Sequence, residues 1–117
     1  MPIQEPGQQR IGLDDAQIVA YVWEFYVSSQ NCAQFEKEYG PEGSWARLFQ
    51  GASGYLETKL LRDTSNPLRY VTIDRWDSAA AHESFRSRYS SQYNDLDRLC
   101  EGFTTRENFL GQFSEQC

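Results

Sequence analysis

Residues 18 to 27, IVAYVWEFYV, are apolar at nearly every position. Read with a period of two, Val19, Tyr21, Trp23, Phe25 and Val27 share one face. Ile18, Ala20, Val22 and Tyr26 share the other, and Glu24 is the lone charge. A strand apolar on both faces needs cover on both. Beyond it, Cys32, Phe35 and Tyr39 recur at helical spacing behind Ser29 as N-cap, and Gly40-Pro41 ends that helix. Ser44 then caps a short helix with Trp45, Leu48, Phe49 and Ala52 as its apolar stripe. Gly51 and Gly54 close it and lead into a second strand, GYLETKLLRD, which turns at Asn66-Pro67.

The third strand, within RYVTIDRWDS (69–78), alternates differently. Val71 and Ile73 point one way, while Tyr70, Thr72, Asp74 and Trp76 point the other. Asp77 or Ser78 caps the next helix, whose inward stripe is Ala81, His82, Phe85 and Tyr89. Ser90-Ser91 marks a break. Tyr93, Leu96, Leu99, Cys100 and Phe103 then continue helical spacing, and Thr104 with Glu107 fits a capping box for one more turn. The last strand is NFLGQF, with Phe109 and Phe113 on one face. The order β-α-β-β-α-β predicts an α+β, ferredoxin-like domain, with an antiparallel sheet and its helices on one face. One helical layer covers only one face of the first strand. A second copy laying its own sheet on the bare face is the simplest cover, so a homodimer through the sheet is expected.

Composition narrows the class. The 117 residues make one domain over 18–117, preceded by a polar stretch, 1–17, that reads as a flexible N-terminal arm. Three Trp, seven Tyr and seven Phe are a large aromatic supply, suited to core, pocket wall and interface alike. The net charge of −6 argues against nucleic-acid and anionic-membrane partners. Three cysteines without CxxC spacing and a single histidine suit neither a disulfide framework nor a usual metal site. No nucleotide-binding glycine pattern is present, so no cofactor is expected. With no apolar leader or spanning run, a cytoplasmic setting is the expectation.

The ordered run YGPEGSWARLF, GYLETKLLRD and RYVTIDRWDS, followed by F, Y and LD, resembles the antibiotic biosynthesis monooxygenase (ABM) domain. That domain is one branch of the dimeric α+β barrel superfamily, and the likeness covers about residues 18 to 113. The resemblance implies a sheet-to-sheet dimer with a pocket between sheet and helices in each subunit. Its polyketide-oxidising branch carries an Asn and a Trp on strand three and a Tyr six residues after that Trp. Matched here, Trp76 keeps the Trp, but Thr72 stands at the Asn position and His82 at the Tyr position. The match puts Tyr70, Thr72, Asp74 and Trp76 on the pocket side, with Val71 and Ile73 toward the partner. The haem-degrading branch needs a Trp at about Phe85 and a later His, and both are missing here.

Cofactor-free oxygenation needs a small aromatic or quinol-like substrate in a dry cavity, a base, and hydrogen bonds to the resulting anion. His82 is the candidate base, and Thr72 and Trp76 are the candidate hydrogen-bond donors. Asp74 either orients His82 or pairs with Arg75 or Arg69 at the sheet edge. Tyr70, Trp45, Phe49, Phe85, Tyr89 and Tyr93 are candidate walls, and Glu24 is either a pocket acid or sits at the strand's exposed end. The alternative is a non-catalytic, stress-associated barrel whose pocket only holds an apolar molecule.

Overall fold

A computed structural model of the chain describes residues 17–116, so the expected arm lies, but for Gln17, outside the described residues. Four strands form one antiparallel sheet: β1 (Val19–Val27), β2 (Tyr55–Arg62), β3 (Arg69–Trp76) and β4 (Thr104–Ser114). Their order across the sheet is β2-β3-β1-β4. Between β1 and β2 lie a 3-10 turn (Ser29–Asn31), α1 (Cys32–Tyr39) and α2 (Ser44–Gln50). Between β3 and β4 lie α3 (Ala79–Arg88), α4 (Ser90–Cys100) and a second 3-10 turn (Glu101–Phe103). This is the expected ferredoxin-like α+β fold.

The alternation in the sequence sets the two faces. Val19, Tyr21, Trp23, Phe25 and Val27 are all buried under the helices. Antiparallel pairing sets Trp23 opposite Thr72 and Phe25 opposite Tyr70, so β3 turns Tyr70, Thr72, Asp74 and Trp76 to the same side. All four are buried. The helix-free face carries Val22, Val71 and Ile73, half-buried, together with Leu61 and Phe113, which are about half exposed (50% and 53%). Glu24 sits at the centre of this face. It accepts hydrogen bonds from Arg69 Nε (2.7 Å) and Asn108 Nδ2 (2.8 Å).

Several local expectations are corrected. Phe109 and Phe113 lie on opposite faces, because Val22 pairs with Gly111 and Trp23 with Phe109, leaving Leu110 as a β-bulge that flips the alternation. Thr104 and Glu107 start β4 rather than cap a helical turn, since Thr104 is extended and paired with Val27. Leu99 is 75% exposed. Tyr93, Leu96 and Cys100 hold the inward stripe of α4, and Leu99 falls about 120° round the helix from Tyr93. Ser29 begins a 3-10 turn led by Ser28, and α1 proper starts at Cys32. The N-cap of α2 is Gly43, not Ser44. A Cβ there would lie 2.4 Å from the carbonyl oxygens of Lys37 and Glu38. Of the two candidates for α3, Ser78 is the cap, its Oγ accepting from Ala81 N at 3.0 Å.

Candidate active site

The sheet's covered face and the helical layer meet in a bed of aromatic rings. Trp45 and Phe49 come down from α2, Phe35 and Tyr39 from α1, His82 and Phe85 from α3, and Tyr93 from α4. Trp76 is central, with Phe49, Tyr55, His82 and Phe85 all within 5.8 Å between ring centroids. His82 stacks on Tyr21 at 3.8 Å and meets Trp76 edge-on at 5.3 Å. The indole Nε1 of Trp76 and the Nδ1 of His82 are buried without a hydrogen-bond partner among the described residues.

One small cavity interrupts this packing. It measures about 10 Å³ and is lined by Phe25, Tyr39, Trp45, Phe49, Thr58, Thr72 and Asp74. That is room for about one water molecule. The polar part of its wall comes from neighbouring strands. Thr58 of β2 pairs with Asp74 of β3, and its hydroxyl donates to Asp74 Oδ1 at 2.6 Å. Burial pushes the Asp74 carboxyl up to about 7, against a smaller opposing pull from the Thr58 hydrogen bond. Asp74 pairs with neither Arg75 nor Arg69. Arg75 binds Glu57 and Glu115, and Arg69 binds Glu24 and Asp63, all on the other face or at its edge.

His82 stands differently from its expected role. Burial, and then the charge of Arg86, pulls its imidazole down to about 3. It is therefore neutral at pH 7 and a weak base, packed as an aromatic ring. The group suited to exchanging a proton near neutrality is Asp74.

The expected wall residues divide into three sets. Trp45, Phe49 and Thr72 line the cavity with Asp74, and Trp76 packs behind Phe49. Phe85 and Tyr89 instead border an outer cleft of about 340 Å³ between the α2–β2 connection and α3, with Ser53, Ser84 and Arg88. Tyr93 supports Trp45 edge-on at 5.0 Å and lies under Arg86. Tyr70 is on the covered face but reaches outward, its hydroxyl donating to Glu36 at 2.5 Å. Glu24 is on the opposite face and takes no part in the pocket. Its carboxyl lies below the ordinary range because Asn108, then Arg69, hydrogen-bond to the charged form. Thr58, Tyr39, Phe25 and Tyr21 complete the surroundings and were not expected there. Among the described residues no cluster of three or more His, Cys, Asp or Glu is placed to hold a metal, and no helix is long and apolar enough to cross a membrane.

The model of the family described as antibiotic biosynthesis monooxygenase matches residues 24–92. Among solved structures, SnoaB, a cofactor-independent oxygenase from Streptomyces nogalater, aligns with a TM-score of 0.65 at 18% identity, covering 87% of this chain and 96% of its own. A Bordetella bronchiseptica protein named for the same family aligns at 0.66 with 21% identity, covering 86% and 97%. A Pseudomonas aeruginosa structure, PA3566, aligns at 0.63 with 14% identity, covering 86% and 96%. A search of curated proteins finds no match.

Proposed function

The chain belongs to the antibiotic biosynthesis monooxygenase family, and from that premise we propose that it is a cofactor-independent oxygenase of a small aromatic or quinol-like molecule, with Asp74 as its base. The observation that carries this reading is the buried Asp74 carboxyl, held near 7 beside a cavity otherwise walled largely by rings. A base of that strength takes a proton from an activated phenol, enol or ring CH₂ at neutral pH. The Thr72 hydroxyl, on the cavity wall beside Asp74, holds the resulting oxyanion. The carbanion form of the substrate gives electrons to O₂ and forms a C–O bond. The peroxide takes back the proton from Asp74 and then loses water. For an anthrone-type substrate, the ring CH₂ and O₂ become a ring C=O and H₂O. The likeness to SnoaB supports the reaction class.

A cavity of about 10 Å³ does not hold an aromatic ring, so the substrate enters by displacing α2, which carries Trp45 and Phe49 between Gly43 and Gly51. The protein acts as a homodimer, with the helix-free face of each copy against its twin. Exposed Leu61 and Phe113 beside Val71 and Ile73 support that arrangement. The test is oxygen uptake with anthrone- and quinol-type compounds. Asp74→Asn is expected to lose about 10²- to 10⁴-fold in rate, while His82→Gln stays within about tenfold. Full activity in Asp74→Asn would overturn the assignment of the base.

A non-catalytic, ligand-holding role is the second reading. It is favoured by the small size of the interior cavity together with the larger cleft of about 340 Å³ along α3. It gains if no compound is turned over and an apolar molecule co-purifies.

A further inference from the structure

β2 is the edge strand beside β3, and their register sets Tyr55 opposite Trp76 and Thr58 opposite Asp74. A shift between Tyr55 and Glu57 brings the Tyr55 side chain over Thr58. Its hydroxyl donates to Thr58 Oγ1 at 2.7 Å, and Thr58 Oγ1 donates to Asp74 Oδ1 at 2.6 Å. Both bonds lie within the ordinary range for hydroxyl donors. The chain runs from a buried carboxyl, through a buried hydroxyl, to a half-buried phenol at the sheet edge. Both hydroxyls can donate and accept, and the carboxyl donates once it is protonated, as a proton path requires.

We propose that Tyr55 and Thr58 form a relay through which the buried Asp74 carboxyl exchanges its proton with solvent when the cavity is filled. The proposal rests on the reading of Asp74 as the base. As drawn, with Asp74 ionised, both hydroxyl protons point inward. Once Asp74 Oδ1 is protonated, both hydroxyls rotate outward, Thr58 toward Tyr55 Oη and Tyr55 toward water. The carboxyl proton then passes to Thr58 Oγ1 as the Thr58 proton passes to Tyr55 Oη and the Tyr55 proton leaves to water, which restores the inward arrangement. No heavy atom moves and no charge stays in the aromatic layer. Of the other titratable side chains near the carboxyl, Tyr39 of α1 lines the same cavity and Tyr93 of α4 is within electrostatic reach. Both are phenols pushed far above their ordinary value, chiefly by burial, so neither competes for the proton near neutrality. A substrate that fills the cavity excludes water from Asp74, and the relay then returns the base to its working state.

The test reads the carboxyl itself in the intact resting protein. After a rapid pH jump through the midpoint near 7, time-resolved infrared follows the carboxylic-acid band, assigned by its loss in Asp74→Asn. Tyr55→Phe keeps the ring that packs on Phe49 and Trp76 and removes only the hydroxyl. Thr58→Val removes the middle link. Each is expected to slow re-equilibration roughly 10- to 100-fold. Tyr55→Phe should leave the midpoint in place, and Thr58→Val should raise it. Wild-type rates in both variants would overturn the relay, even with a moved midpoint, because the hydroxyls would then only hold the structure. If the wild-type band does not titrate between about pH 5 and about pH 9, the base assignment fails first. Intact titration with unchanged rates removes the relay alone.

Discussion

Two buried groups with opposite shifts give this protein a pH dependence that single substitutions can take apart. Asp74 moves from its ordinary 3.8 to about 7 on folding. Between those values the folded state keeps a proton that the unfolded chain releases, so stability falls as pH rises through that window. At about 1.36 kcal/mol per pH unit, the full loss is about 4 kcal/mol, complete above pH 7. His82 moves from 6.5 to about 3. Here the unfolded chain holds the extra proton, so stability falls as pH drops from 6.5 toward 3, by about 5 kcal/mol in all. From about pH 4 to about 6.5 the two slopes oppose one another and nearly cancel. Asp74→Asn removes one of them and mimics the protonated acid. Its stability relative to wild type should rise by about 1.36 kcal/mol per pH unit between about pH 4 and about pH 7, then level off. His82→Gln should show the opposite trend, losing its relative advantage as pH rises to 6.5. Urea unfolding across this range gives both differences, and the other titratable groups drop out of them. An Asp74→Asn difference that stays constant from about pH 4.5 to about pH 7.5 would show that the carboxyl is no harder to ionise in the folded state. The base assignment would not survive that result.

Three further outcomes follow from packing. Gly54→Ala should cost at least ~2 kcal/mol in chemical denaturation, because Gly54 has φ 95° and a Cβ there would lie 2.5 Å from that of Ala81. Ile73→Lys, on the helix-free face opposite Val22, should halve the mass seen by light scattering while leaving the circular dichroism unchanged; a dimeric variant would argue against sheet-to-sheet pairing. Phe49→Ala should cost about 3 to 5 kcal/mol and enlarge the cavity beside Asp74. Added indole should then raise the melting temperature of that variant and not of wild type.

The period of two in β1 and β3 was enough to separate the covered face from the bare one, because side-chain direction in a regular strand depends on parity alone. Where parity breaks, the sequence misleads. Leu110 bulges, and Phe113, four residues after Phe109, turns to the other side. The partnership of Thr58 with Asp74 was within reach, since counting outward from the Asn66-Pro67 turn pairs Arg62 with Tyr70, Leu60 with Thr72 and Thr58 with Asp74. What periodicity does not contain is how fully the helices close over that pair. The same limit explains His82. Its position on an inward stripe was readable, but its loss of basicity comes from tertiary burial against Tyr21 and Trp76. Glu24 shows the converse. Its parity assigns it to the bare face, and only the long-range partners Arg69 and Asn108 make a charge acceptable there.

The placement of the acid also says which half of the molecule must yield to a substrate. Asp74 lies in an inner strand, with its backbone laddered to β1 on one side and β2 on the other. Displacing it breaks hydrogen bonds in two ladders, each costly to leave unmade in a dry interior. Pairing of the bare face with a second copy would stiffen the same strands further. The roof is built otherwise. α2 is seven residues long, begins behind Gly43 and ends at Gly51, and narrows the cavity through Trp45 and Phe49. Lifting it costs ring contacts that an aromatic substrate can replace in kind. The sheet therefore fixes the position of the carboxyl, while the helical layer sets its burial and the volume available beside it. Substitutions in α2 should change which molecule is accepted, and substitutions in β2 and β3 should change how readily its proton is taken.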